Sequence, residues 1–335
     1  MAVGAHDSRG PAILVEGLTK SFGEVHALRG IDLSVPQGTV LGVLGPNGAG
    51  KTTAVRILTT LLQPDSGRAL VEGHDVVKEA ATVRRTIGLS GQSAAIQEEL
   101  TGRENLEIIG RLYHLSWPAA RSRATELLEQ FGLTEAADRS SKNFSGGMQR
   151  RLDLAASLVG RPRVLFLDEP TTGLDPEARS EMWEQIRELA WDQGLTILLT
   201  THYLEEADQL ARNLAIVDQG QIVTEGTPDE LKAQLHGDAV TLELAGGTDT
   251  DTAKSVALEH DLLSDVAVDG LTLRGRSADG AGAVPALLAA LESADVTVAS
   301  VTVARPSLDD VYLRYTGRSF TAAEQAAAQA TEENR

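Results

Sequence analysis

Apolar and polar positions recur along this chain with two different periods, and the places where the period changes mark its organisation. Ile13 to Val15 begins a strand that turns at Lys20-Ser21-Phe22-Gly23. Ile31, Leu33 and Val35 alternate with polar neighbours, as in a half-buried strand, and Pro36-Gln37-Gly38 closes it. Thr39 to Leu44 and Arg163 to Leu167 are instead apolar at successive positions, the pattern of strands buried on both faces of a parallel sheet. Thr86 to Ser90 and Thr196 to Thr200 predict two more buried strands. Val55, Ile57, Leu58, Leu61 and Leu62 form a helical stripe within Thr53 to Leu62. After Gly91-Gln92 the helical period takes over. Thr101 and Glu104 spell a capping box ahead of Leu106, Ile109 and Leu112, and Pro118 opens a helix with Leu127, Leu128 and Phe131 on one face. This helical run covers about residues 96–160. Beyond it, a helix runs from Asp175-Pro176 to Gln193, a hairpin joins Ala215–Val217 to Gln221–Val223, and Pro228 to Leu235 is helical.

Near His236-Gly237 the character changes. Val240, Leu242 and Leu244 alternate, Thr250 to Glu259 is helical, and short strands, a helix and a strand from Val296 to Val303 follow. The order β-α-β-β-α-β suggests a small ferredoxin-like sandwich. Ser307 then caps a helix bearing Val311, Tyr312 and Tyr315. The expected organisation is a flexible start at 1–11, a domain over 12–236, a small α+β domain over 238–317 and a disordered tail over 318–335. The tail is Ala/Glu/Gln-rich without a clear apolar face.

A length of 335 residues allows two or three domains, each with its own core; at 4% aromatic residues, aliphatic side chains must build most of it. The net charge of −18 repels nucleic acid and anionic lipid, so no nucleic-acid partner is expected. There is no cysteine, hence no disulfide and no thiolate metal site, which fits a reducing cytoplasm. Met1 to Pro11 is polar, unlike a signal peptide, and no run approaches the ~20 apolar residues that span a bilayer. Any membrane role must come through a partner.

The chemistry is concentrated at Gly45-Pro46-Asn47-Gly48-Ala49-Gly50-Lys51-Thr52, a phosphate-binding loop between a strand and a helix. Glycines let main-chain N–H groups come close to a polyphosphate, Lys51 adds positive charge at the β- and γ-phosphates, and the Thr52 hydroxyl can ligate Mg²⁺. Thr53 continues the helix whose N-terminus faces the phosphates. Asp168-Glu169 follow the apolar strand 163–167. Asp168 is placed to hold Mg²⁺ and Glu169 to polarise an attacking water, against the plainer reading of two solvated carboxylates. Phe22 is either an ordinary core side chain or a stacking platform for an adenine ring. Ser145, Gly146 and Gly147 open a second helix with free N–H groups. Because the phosphate loop already has its own helix, this one makes sense as part of the nucleotide site of a second copy.

Phe144-Ser145-Gly146-Gly147-Met148 resembles the L-S-G-G-Q signature of ATP-binding cassette (ABC) transporter subunits, with Met148 in place of glutamine. The resemblance implies a P-loop NTPase of the ABC-ATPase type: an α/β RecA-like core sheet, an antiparallel β subdomain and a helical insertion, followed by the α+β C-terminal domain. It further implies that Gln92 reaches the Mg²⁺ and attacking water, that Gly173-Leu174-Asp175 is the D-loop, that His202 is the switch histidine beside the γ-phosphate, and that Phe22 stacks on adenine. The strings Leu89 to Ala95, Leu100 to Leu106, Arg151 to Leu158 and Pro306-Ser307-Leu308-Asp309-Asp310-Val311-Tyr312 look like the daunorubicin/doxorubicin resistance ATPase group. Members of that group energise export through a separate membrane subunit. The implied protein is therefore an ATPase that dimerises head to tail around two ATP·Mg²⁺ and sits on the inner face of the cell membrane through its permease. The rival expectation is a soluble ABC ATPase acting on ribosomes or DNA. The single cassette, the acidic balance and the lack of a long coiled coil weigh against that rival.

Overall fold

The computed structural model describes residues 10–91, 96–235, 237–246, 250–259 and 262–333. They fall into two compact units that divide between Ile222 and Val223. In the first unit the chain runs through β1 (Ile13–Phe22), β2 (Val25–Val35), β3 (Val40–Leu44), α1 (Lys51–Leu58), β4 (Ser66–Val71), β5 (His74–Asp75), α2 (Ala80–Thr86) and β6 (Ile87–Ser90). Helices α3 (Gly102–Leu112), α4 (Trp117–Gln130) and α5 (Gly146–Ser157) follow, then β7 (Val164–Asp168), α6 (Pro176–Arg187), β8 (Thr196–Thr201), α7 (Leu204–Leu210), β9 (Asn213–Asp218) and β10 (Gln221–Gly226). The break between units falls inside β10.

Two sheets build this unit. One is antiparallel, in the order β2-β1-β4-β5; the other has the order β10-β9-β3-β8-β7-β6, and β9, β3, β8, β7 and β6 run parallel. Every residue of β3, β7 and β8 is buried, as their unbroken apolar runs require. One face of the parallel sheet packs with α1 and the antiparallel sheet around Ile13, Leu28, Ile57 and Phe166. The other face packs with the helical insertion around Leu106, Leu127, Phe131 and Leu152. Because β3, β8 and β7 are neighbours with the same polarity, their carboxyl ends deliver the loops after Leu44, Asp168 and Thr201 to one edge.

The second unit contains α8 (Pro228–Ala233), β11 (Asp238–Leu244), α9 (Thr250–Glu259), β12 (Ser264–Asp269), β13 (Thr272–Ser277), α10 (Gly280–Ser293), β14 (Val298–Ala304), α11 (Leu308–Thr316) and α12 (Phe320–Glu333). Its sheet is antiparallel in the order β12-β13-β11-β14, which is the ferredoxin-like arrangement. The string from Pro306 to Tyr312 is explained by this unit's own packing. Ser307 and Asp310 form a capping box, Asp309 pairs with Arg274, Asp310 lies 3.5 Å from Arg276, and Tyr312 is fully buried with its ring edge against Phe320.

Two expectations need correction. The tail over 318–335 was expected to be disordered, yet Phe320–Glu333 is helical. Ala, Glu and Gln are strong helix formers, and burial of Phe320 and Ala323 supplies the missing anchor. The helix after the phosphate loop stops at Leu58 rather than Leu62, because Thr60 turns to a left-handed φ of 66° and leaves Leu61 65% exposed.

Candidate nucleotide site

Gly45 follows β3 so tightly that a Cβ there would lie 2.3 Å from the Val217 carbonyl oxygen. Gly50 has φ 106°, and a Cβ there would lie 2.4 Å from the Ala27 carbonyl oxygen. Only glycine fits either position. Pro46 and Ala49 are buried and joined by a turn hydrogen bond, while Asn47 and Gly48 are exposed at the tip of the loop. Helix α1 starts at Lys51 with no side-chain cap and no acidic residue in its first turn, and Thr53 stands half-buried there. A helix start without an acidic residue in its first turn favours an anion at its positive end.

Lys51 is only 4% exposed; its ammonium donates to the carbonyls of Gly45 at 2.6 Å and Pro46 at 3.1 Å and lies 3.5 Å from Glu169 Oε1. Asp168 is fixed from two sides, accepting from Thr200 Oγ1 at 2.6 Å and from Thr52 Oγ1 at 3.2 Å. Glu169 is gripped through its backbone N–H by Thr200, and its Oε2 accepts from Thr172 Oγ1 at 3.4 Å. His202 Nδ1 approaches that same oxygen to 3.4 Å but makes no hydrogen bond, so the contact is electrostatic at most. Burial, the strongest single influence, pushes the Glu169 carboxyl up; the nearby His202 and Lys51 outweigh it, and the net shift is downward.

The sign of that shift fixes a pH dependence. Because the folded carboxyl titrates below its ordinary value of 4.5, its ionised form contributes stability that is fully present above 4.5 and lost as pH falls further. The advantage of the wild type over Glu169→Gln in urea denaturation should therefore not shrink between pH 7 and about 4.5. Below that, the wild type should lose ground; a gap already closing at pH 6 would contradict the lowered titration.

The residues expected at the site are not all brought together. Lys51, Thr52, Asp168, Glu169 and His202 converge at the carboxyl edge of the sheet. Phe22 ends β1 half exposed, with the Lys20 ammonium 5.7 Å from its ring centre, so it is not a core side chain. Ser145 caps α5 by accepting from Met148 N–H, with Ser145 and Gly146 exposed and Gly147 half-buried. Gly146 lines an open concavity with Glu169 and Gly173, but no residue of the phosphate loop lines it. Asp175 is exposed and caps α6 by accepting from Ala178 N–H. Gln92 lies outside the described residues. Sequence reasoning missed Thr200, Arg150, Thr171 and Glu206. Glu206 is fully buried, accepts from Thr171 Oγ1 and Trp183 Nε1, and is pushed up by burial. It ties the segment after Glu169 to the helix after His202.

Mg²⁺ suits this donor set. Among the described residues no three His, Cys, Asp or Glu side chains form a metal cage. A hydroxyl and one carboxylate at a phosphate loop are what Mg²⁺ takes when substrate phosphates and water complete its shell.

The fold and these residues define an ATPase of the ABC class. The ABC transporter family model matches residues 28–172, and that of the C-terminal domain of DrrA1-3-like ATP-binding proteins matches residues 226–316. The chain is 52% identical to the daunorubicin resistance ATP-binding protein DrrA3 of Streptomyces coeruleorubidus over 306 residues, 91% of this chain and 96% of that one. It is 47% identical to the daunorubicin/doxorubicin resistance ATP-binding protein DrrA of Streptomyces peucetius over 312 residues, 91% and 92% of the two chains. A solved dimeric post-hydrolysis state of the ATP-binding cassette MJ0796, bound to ADP and Pi, matches with a TM-score of 0.59 and 26% identity, covering 64% of this chain and 98% of that one. This chain belongs to the family of daunorubicin/doxorubicin resistance ATP-binding proteins of ABC transporters. It binds and hydrolyses ATP as the nucleotide-binding subunit of an exporter, and nothing in these relatives favours the ribosome or DNA alternative.

Proposed function

We propose that two copies of this chain, facing head to tail, enclose two ATP·Mg²⁺ and drive drug efflux through a separate membrane permease. The observation that carries this reading is the convergence of Lys51, Asp168, Glu169 and His202 on one sheet edge, while Ser145 and Gly146 stand exposed, with Gly147 half-buried beside them, and share no concavity with their own phosphate loop. Each site would take Gly45 to Thr53, Gln92, Asp168, Glu169 and His202 from one copy, and Ser145, Gly146, Gly147 and Asp175 from the facing copy. Phe22 would stack on the adenine.

Lys51 would exchange its carbonyl partners and Glu169 for the β- and γ-phosphates. Glu169, relieved of Lys51, would accept a hydrogen bond from the attacking water and take up its proton as the bond from γ-phosphorus to the bridging oxygen breaks and ADP leaves. His202 would hold the γ-phosphate. Held by Thr52 and Asp168, with Gln92 close by, Mg²⁺ would neutralise charge on the phosphate oxygens. ATP would bind the closed pair more tightly than the open one, because the γ-phosphate bridges both copies; hydrolysis would remove that bridge.

An exposed apolar groove supports the permease reading. No helix among the described residues is long and apolar enough to cross a membrane. An apolar groove opens between α1, β6, α3 and α5, lined by Leu61, Leu89, Ile109, Leu112 and Tyr113. Leu61 and Leu112 are 65% and 73% exposed, a poor place for leucine on a surface that meets only water. Helix α3 supplies Ile109 and Leu112 to one wall of this groove. Leu112→Asp should abolish co-purification with the permease while the isolated chain hydrolyses ATP at its usual rate. Retained co-purification would move the docking site elsewhere. For the substrate, cells expressing this chain with its permease should extrude doxorubicin in an ATP-dependent way, and cells carrying Lys51→Ala should not. Equal accumulation in both would remove drug efflux from the reading.

A further inference from the structure

We infer that Arg150 is a positioning residue for hydrolysis, its guanidinium holding Glu169 in the backbone conformation that aims the carboxylate and tying that conformation to the seat of α5. The inference rests on the role given to Glu169 above.

Glu169 has φ 54°, a left-handed conformation that L side chains avoid. Such a residue keeps that shape only where its surroundings over-determine it. Thr200 holds its N–H, and Arg150 holds the carbonyls around it. Nε of Arg150 donates to Pro170 O at 2.6 Å, and Nη2 donates to Glu169 O at 2.7 Å and Asp168 O at 3.4 Å. Nη1 donates to Gly91 O at 2.8 Å, immediately before Gln92. One planar fork therefore clamps two loops that come from different strands, β7 and β6. Lysine, a point donor on a flexible stem, cannot reproduce this.

The clamp is itself anchored. Arg150 lies on α5, whose first turn is Ser145 to Gly147. One turn further on, Asp153 is 2% exposed, accepts from Ser90 Oγ at 2.5 Å and lies 3.9 Å from Arg150 Nη1. Ser90 ends β6. The arginine side chain is only 13% exposed. Burial lowers its pKa against the pull of Asp153, so this site keeps a desolvated cation where an apolar side chain would pack at less cost. A helix end that meets the facing copy's nucleotide is thus joined rigidly to the backbone that carries Glu169.

The test uses the full-length chain with Arg150→Lys and Arg150→Gln, each alone and combined with Glu169→Gln. Either Arg150 change should lower kcat by about 10- to 100-fold, as sub-ångström misplacement of a catalytic group does, with KM for ATP within about threefold. In single-turnover measurements on the Glu169→Gln background, the same changes should cost almost nothing further, because Arg150 acts through Glu169. A packing role alone predicts equal losses in both backgrounds, and that result overturns the inference, as does a fully active Arg150→Lys. If Arg150→Gln fails to fold, the lysine variant decides the matter. Full turnover by Glu169→Gln alone would instead overturn the reading of Glu169 and this inference with it. An inactive Glu169→Gln beside an active Arg150→Lys overturns this inference alone.

Discussion

Glu169→Gln should reduce kcat at least about 100-fold while leaving ATP bound, the usual scale for removing a positioned general base. The substitution keeps shape and hydrogen-bonding length but removes the charge that Lys51 and His202 face at 3.5 and 3.4 Å. A glutamine amide cannot take up the proton of the attacking water. Binding should survive, because in the proposed site the groups that hold phosphate lie in the loop from Gly45 to Thr52 and do not include this carboxylate. The amide also removes one negative charge from beside the γ-phosphate, so affinity should rise rather than fall. A phosphate-release assay with a parallel nucleotide titration checks both parts. Parental turnover would refute the role of Glu169.

Lys51→Ala should weaken ATP binding by about 100-fold, the loss of one or two hydrogen bonds to a charged partner at 1.5–3 kcal/mol each. The effect has two sources. The polyphosphate loses its only loop cation, since no residue from Gly45 to Gly50 carries a charge. Glu169 also loses the ammonium at 3.5 Å, so its carboxylate stands uncompensated against incoming phosphate. Equilibrium titration with a fluorescent ATP analogue gives the number directly. Unchanged affinity would remove the phosphate-loop assignment. A similar loss with Lys51→Met, which preserves the apolar stem, would assign it to charge rather than packing.

Much of this site was readable because its chemistry is local. The phosphate loop needs glycines at fixed positions, and the Cβ clashes at Gly45 and Gly50 show why no other residue would do. The buried strands announced themselves as apolar runs, and the ferredoxin-like order of the second unit followed from its alternating elements. What escaped was non-local. Arg150 contacts carbonyls 18 to 59 positions away, and its partners are main-chain atoms that leave no mark in the residue types. Thr200 looked like another residue of an apolar strand, yet its hydroxyl fixes Asp168. Leu61 misled for a different reason: the helix ends at Leu58, so Leu61 falls beyond the stripe it continues in sequence, and its apolar side chain lines an exposed groove instead of the core. The tail misled through composition, since two buried side chains, Phe320 and Ala323, sufficed to anchor a helix of good formers.

In the proposed arrangement a complete nucleotide site needs two copies. Sedimentation equilibrium of Glu169→Gln, with saturating ATP·Mg²⁺ and again with ADP, tests it most directly. Twice the 35.5 kDa chain mass and one ATP per chain are expected in the first condition, and the single-chain mass in the second. A single-chain mass under saturating ATP, alongside full turnover by wild-type chain at the same concentration, would contradict it.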